Sequence, residues 1–143
     1  MCSRKTNVSR IKVEENGRKA TFLNEIQHEY VVSVIDGCLI REGERADYLV
    51  SKKNVASAIV ELKGKDVEHA CSQLFSSASN EVVNKLIEKK FGFLVVCSKY
   101  PRFDTFVIRA KQRAMKQFKA GFHVVAKNIE YDIERVAAID GPV

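Results

Sequence analysis

Apolar and polar positions alternate with a period near two through the first half of the chain, and the period lengthens to nearly four after Gly64. Strand side chains point to opposite faces in turn, whereas a helix returns to one face every three or four residues. Lys12 to Glu14, Ala20 to Ile26 and Tyr30 to Ile35 are therefore predicted strands, rich in β-branched and aromatic residues and separated by polar turns such as Glu15-Asn16-Gly17. Residues 21–30 also admit a short helix with Phe22, Ile26 and Glu29 on it, and strand is the reading adopted. Gly37-Cys38-Leu39-Ile40 and Ala46 to Val50 read as a hairpin turning at Gly43. A second hairpin returns through Ser51-Lys52-Lys53-Asn54 to a strand over 58–63.

Beyond Gly64, Val67, Ala70, Cys71, Leu74, Phe75 and Ala78 form one apolar helical stripe, with Asp66 as its N-cap. A second helical segment carries Val82, Val83, Leu86 and Ile87. Phe93 to Cys97 is a continuous apolar run suited to a strand buried on both faces, and Pro101 ends it. Thr105 to Lys119 is helical again, with Val107, Ile108, Ala114, Met115 and Phe118 inward and Arg109, Lys111, Arg113, Lys116 and Lys119 outward. Phe122 to Ala126 is a last strand and 128–143 an acidic, weakly patterned tail. Residues 1–10 are polar and expected to be poorly ordered. The order of elements predicts an α/β sandwich around a mixed sheet.

Composition narrows the partners more than the fold. A chain of 143 residues is long enough for one domain with its own core, and 45% apolar and 29% charged residues argue against disorder. A net charge of +6 and a pI near 9.2 favour a polyanionic partner such as nucleic acid. No apolar run approaches a membrane span and no signal core follows Met1, so the expectation is a cytoplasmic protein. Cys2, Cys38, Cys71 and Cys97 are far apart with no Cys-x-x-Cys pair, which suggests ordinary buried thiols in a reducing compartment. His28 and His123 have no partners at metal-ligand spacing and read as structural.

The sharpest chemical signal is the spacing of three charges. Glu61 and Lys63 fall on one face of the strand 58–63. If that strand pairs antiparallel with Ala46 to Val50 about a loop centred on Asn54, Asp47 comes opposite Glu61. Two opposed carboxylates repel unless a cation lies between them. Mg²⁺ prefers hard oxygen ligands and takes one or two protein carboxylates together with substrate phosphate. The bland alternative is a pair of strand-end acids satisfied by Lys63 or Lys65.

Arg45-Ala46-Asp47, Val60-Glu61-Leu62-Lys63 fourteen positions on, the amphipathic helix that follows and the β-α-β tail together resemble the PD-(D/E)XK nuclease superfamily over roughly residues 30–127. The resemblance implies a restriction endonuclease-like sandwich: a central mixed β-sheet flanked by helices. It implies that Asp47 and Glu61 hold Mg²⁺ or Mn²⁺, with the Leu62 backbone carbonyl as a further ligand. Lys63 would orient or deprotonate the attacking water. Gln73 matches half of a Gln-x-x-x-Tyr pattern known in RecB-like members, with Ser77 in the tyrosine position, and is expected at the catalytic edge. Lys52, Lys53, Lys65, His69, Arg109, Arg113 and Lys116 are the expected nucleic-acid contacts. Two positions depart from the pattern: Ala46 replaces the proline, and the upstream acidic ligand of many members is left open among Glu25, Glu29 and Asp36. The implied activity is metal-dependent hydrolysis of DNA phosphodiester bonds, with a homodimer needed to cut both strands together. The alternatives are a non-cleaving nuclease-fold protein that binds nucleic acid or a protein partner, and an immunity-type interaction protein.

Overall fold

The computed structural model describes residues 2–63, 66–98, 105–126 and 130–139. The elements in chain order are β1 (Ser3–Thr6), β2 (Arg10–Glu15), β3 (Arg18–Leu23), β4 (Tyr30–Val34), β5 (Tyr48–Lys52), β6 (Ala56–Lys63), α1 (Val67–Ser79), α2 (Glu81–Leu86) and β7 (Phe91–Cys97). They continue with α3 (Thr105–Arg113), a π-helical turn (Ala114–Phe118), β8 (Gly121–Val125), β9 (Glu130–Tyr131) and α4 (Ile133–Ala137). The expected mixed α/β architecture is present. Six strands form one sheet in the order β1-β4-β5-β6-β7-β8. Its β1 to β6 half is antiparallel, and β6, β7 and β8 are parallel to one another.

Parallel neighbours need a crossover, and α1 with α2 joins β6 to β7 as α3 joins β7 to β8. These helices cover one face of the sheet. The stripe Val67, Ala70, Cys71, Leu74, Phe75 and Ala78 packs on Leu49, Ile59, Phe93, Val95, Phe122 and Val124. The opposite face carries Val50, Ala58, Val60, Leu62, Leu94 and Val96, and it is closed by the small sheet β2-β3-β9 together with α4. Helices therefore flank the central sheet on one side, while the other side is mainly β with one short helix. Both faces of β7 are buried and apolar, as the continuous run Phe93 to Cys97 requires.

Several expectations are corrected. Residues 3–6 are an edge strand paired to β4 rather than a loose arm, and Cys2 is joined to Cys38 by a disulfide with the Cα atoms 5.5 Å apart. Cys71 and Cys97, both buried, are outside any disulfide. The segment 37–40 is no hairpin strand. β4 itself pairs with β5, and 35–47 is an excursion between them held by hydrogen bonds from Gly37, Cys38, Leu39 and Ile40 to nearby carbonyls. The strand expected over 20–26 spans Arg18–Leu23, and the following turn contains Gln27 with φ 54°. The third helix buries Val107 and Ala110, changes to a π turn at Ala114 and ends on left-handed Lys119, and Ile108 and Met115 are exposed instead of inward.

The acidic tail is core. Ile133, Val136 and Tyr131 are buried against β6 and β7, and α4 lies so close to the sheet that a Cβ on Gly92 would stand 2.0 Å from the Val136 carbonyl oxygen. Only glycine at that position admits so near a backbone.

Candidate active site

The β5–β6 register is the one expected about Asn54: Tyr48 faces Val60 and Lys52 faces Ala56. Asn54 takes φ 64° in the turn, a left-handed conformation that asparagine tolerates. Asp47 extends this ladder at its open end. Its N–H donates to the Val60 carbonyl at 3.2 Å, and its carbonyl accepts from Ile35 N–H at 3.0 Å. The carboxylate turns to β6, where Oδ2 accepts the Leu62 N–H at 2.8 Å. Asp47 therefore brackets Glu61, bonded through its backbone to the residue before and through its side chain to the residue after.

Glu61 is 3% exposed. Ile59, two residues earlier, belongs to the helix-side core, whereas Val60 and Leu62 belong to the opposite one, so alternation puts Glu61 on the face that α1 covers. An ionised carboxylate at such depth is stable only beside cations or donors. Because N–H and C=O of one strand residue project to the same side, the Leu62 carbonyl also faces the Asp47 edge. Two carboxylates and a peptide carbonyl are a hard-oxygen donor set of the size Mg²⁺ accepts while keeping several waters. Among the described residues no group of three or more His, Cys, Asp or Glu side chains converges. The residues present fit Mg²⁺ or Mn²⁺ better than a metal that demands a closed protein cage.

Lys63 ends β6, its backbone in register with Cys97 of β7. Its side chain, and Lys65 as a whole, lie outside the described residues. Gln73 does reach the strand end, although by a route the sequence does not reveal: its Nε2 donates to the Arg45 carbonyl at 3.1 Å. Four residues on, Ser77 Oγ accepts the Ala46 N–H at 2.7 Å. A proline in place of Ala46 would have no N–H to give. His69 is exposed in the first turn of α1, where its own N–H is held by the Asp66 carboxylate at 2.9 Å, confirming Asp66 as the cap.

The basic residues divide. Lys52 and Lys53 sit at the far end of β5, roughly 15–20 Å of strand from Asp47, and are paired with Glu134 at 3.0 Å and Glu29 at 3.3 Å. They do not flank the site as expected. Arg109 and Arg113 line a groove of about 230 Å³ between α1 and α3, with Glu68, Ser72, Phe75 and Phe106. Arg113 lies over the Phe75 ring at 4.5 Å from its centroid and bonds Gln117 at 2.9 Å. Lys116 is exposed on the π turn.

Of the three upstream acids, Glu25 is exposed after β3 and Glu29 is at the distant end of β5. Asp36 alone adjoins the site: its N–H approaches the Asp47 carbonyl at 3.4 Å, and its carboxylate is held by Arg45 at 2.6 Å. Tyr48 next to Asp47 is no neutral-pH acid. Burial, reinforced by the charge and hydrogen bond of Glu15, pushes its pKa up to about 12, and its hydroxyl donates to the Glu14 carbonyl at 3.1 Å. His28 and His123 each bond a backbone carbonyl, of Lys53 at 2.8 Å and of Ala138 at 3.2 Å.

Ser77, visible in the sequence only as the residue in the tyrosine position, contributes through its bond to the Ala46 N–H, a contact that no spacing rule reveals. Comparison of the chain with protein families, with curated proteins and with solved structures finds no match.

Proposed function

We propose that the chain is a metal-dependent nuclease that hydrolyses phosphodiester bonds, most naturally of DNA, on a fold of the restriction endonuclease type. The observation that carries this reading is the placement of the Asp47 carboxylate on the Leu62 peptide N–H, astride a Glu61 that is itself almost wholly buried. An antiparallel β4-β5-β6 meander followed by a helical crossover to a parallel β7 supports the fold assignment.

Asp47, Glu61 and the Leu62 carbonyl would hold the ion. When bound, the ion polarises the phosphoryl group and lowers the pKa of a bound water. The chain's own share is positional and electrostatic. Asp47 is fixed by backbone bonds to Val60 of β6 and to Ile35 just past β4, so its carboxylate is oriented before substrate arrives. Lys63, two residues after Glu61, would steady negative charge gathering on the phosphoryl oxygens and take or orient the water proton. Arg109, Arg113 and Lys116 would grip phosphates without reading sequence, so binding should weaken steeply with salt.

A cleavage assay on duplex, single-stranded and branched DNA with Mg²⁺ or Mn²⁺ tests this. The wild type should cut at least one substrate, and Asp47→Ala and Lys63→Ala should each lower the rate on the order of 100-fold or more. Cleavage unaltered in both variants would sink the assigned site. Salt-sensitive binding without cleavage of any substrate would support the second reading, a nuclease-fold protein that binds nucleic acid without cutting it.

A further inference from the structure

The strand end that carries Asp47 is gripped from above by one helix. On α1, Gln73 Nε2 donates to the Arg45 carbonyl at 3.1 Å and Ser77 Oγ accepts the Ala46 N–H at 2.7 Å, so two side chains four residues apart hold consecutive residues just before Asp47. The serine's hydrogen has a fixed destination: Oγ donates to the Gln73 carbonyl at 2.9 Å. A hydroxyl has one donor and two acceptor lone pairs, so with its hydrogen committed its lone pairs face the Ala46 N–H. Ala46 and Ser77 are both 0% exposed, so water cannot replace either partner. Elsewhere the excursion 35–47 is anchored by the buried Ile35 and Ile40, by Ser72 Oγ on the Glu44 carboxylate and by the backbone bonds of Asp47, but none of these is a bond to the Ala46 N–H. Arg45 leans on Asp36 and Gly43 through exposed contacts.

We infer that Ser77 is a positioning residue, which sets the Asp47 carboxylate on the Leu62 N–H by fixing the Ala46 peptide. Its importance for catalysis rests on the nuclease reading above, but its geometric action does not. Without the hydroxyl, the buried Ala46 N–H loses its acceptor, the Arg45–Asp47 segment shifts to find another, and the carboxylate leaves the Leu62 N–H for part of the time. The Gln73–Ser77 pair thus acts on the strand end, and Gln73 is a second positioning residue through Arg45.

The test is amide hydrogen exchange by NMR, with Mn²⁺ binding measured alongside, on the full chain as wild type, Ser77→Ala and Ser77→Thr. In Ser77→Ala the amides of Ala46 and Leu62 should exchange about tenfold faster relative to distant strand amides such as those of Val32 and Leu94. Mn²⁺ binding should weaken about 10- to 100-fold, the usual effect of losing a group that orients a ligand. Ser77→Thr, which keeps the hydroxyl, should recover the Leu62 amide protection. A merely structural serine would raise all core amides together or none, and an unchanged Leu62 amide in Ser77→Ala would overturn the proposal. Selective exchange at Leu62 with no Mn²⁺ bound by the wild type would uphold the positioning role and overturn the metal reading instead.

Discussion

Asp47 does two jobs that substitution can separate. Its Oδ2 accepts the Leu62 N–H at 2.8 Å, and its charge is half of the proposed metal site. Asp47→Asn keeps an acceptor oxygen, so thermal unfolding should remain close to that of the wild type while metal-dependent cleavage falls on the order of 100-fold. Asp47→Ala leaves the Leu62 N–H without that acceptor, and should lose a further ~1–3 kcal/mol of stability by urea unfolding. Equal cleavage in Asn and wild-type proteins would remove the charge from the account. The Asp47–Glu61 relation was legible in the sequence because strand alternation and one turn at Asn54 determine the register. Gln73 was legible as a residue but not in its action, since no spacing rule says that a helix side chain will seek the Arg45 carbonyl.

At the scale of elements, the excursion 35–47 delivers Asp47 and is tied by the Cys2–Cys38 disulfide to β1, an edge strand with three of its four residues exposed. Cross-links stabilise mainly by restricting the unfolded chain, and a separation of 36 residues corresponds to about 3–4 kcal/mol at most. A reducing agent should therefore lower the melting temperature by roughly 10 °C. No shift on verified reduction would show that the bond constrains nothing. Neither end of this device could be read from sequence. Residues 1–10 are mostly polar or charged, with no apolar alternation to mark a strand, and four cysteines without a repeating spacing do not announce a pair. The C-terminal elements were missed for a related reason: α4 is five residues long, so Ile133 and Val136 supply less than one repeat of a helical stripe. Where periods were long, as in α1, boundaries and cap agree with the pattern to within a residue or two.

Across the whole molecule, buried titratable groups make alkaline conditions the weak side. Burial, with the Glu68 charge nearby, pushes the Cys71 thiol from 9.0 to about 12, and burial first and Glu15 second raise Tyr48 from 10.0 to about 12. Burial raises Tyr30 and Tyr131 as well. Each group holds its proton longer in the folded protein than in the unfolded chain. Their contribution is therefore fully present below about pH 9 and declines as pH rises from there towards 12. Urea midpoints should be level from pH 7 to 8.5 and fall progressively above it, and a level profile to pH 11 would refute the burial assigned to these side chains. His123 is lowered by burial, partly offset by the Ala138 carbonyl, and acts in the opposite direction: its contribution is lost as pH falls below 6.5.

The whole arrangement leads back to one location, the end of β6 beside Asp47. Crystals soaked in Mn²⁺ and measured for anomalous scattering locate a bound ion without any assumption about substrate. A peak ligated by the carboxylates of Asp47 and Glu61 and by the Leu62 carbonyl is expected in the wild type and absent in Glu61→Gln crystals. A peak elsewhere, or none at an Mn²⁺ concentration that supports cleavage, would contradict this assignment.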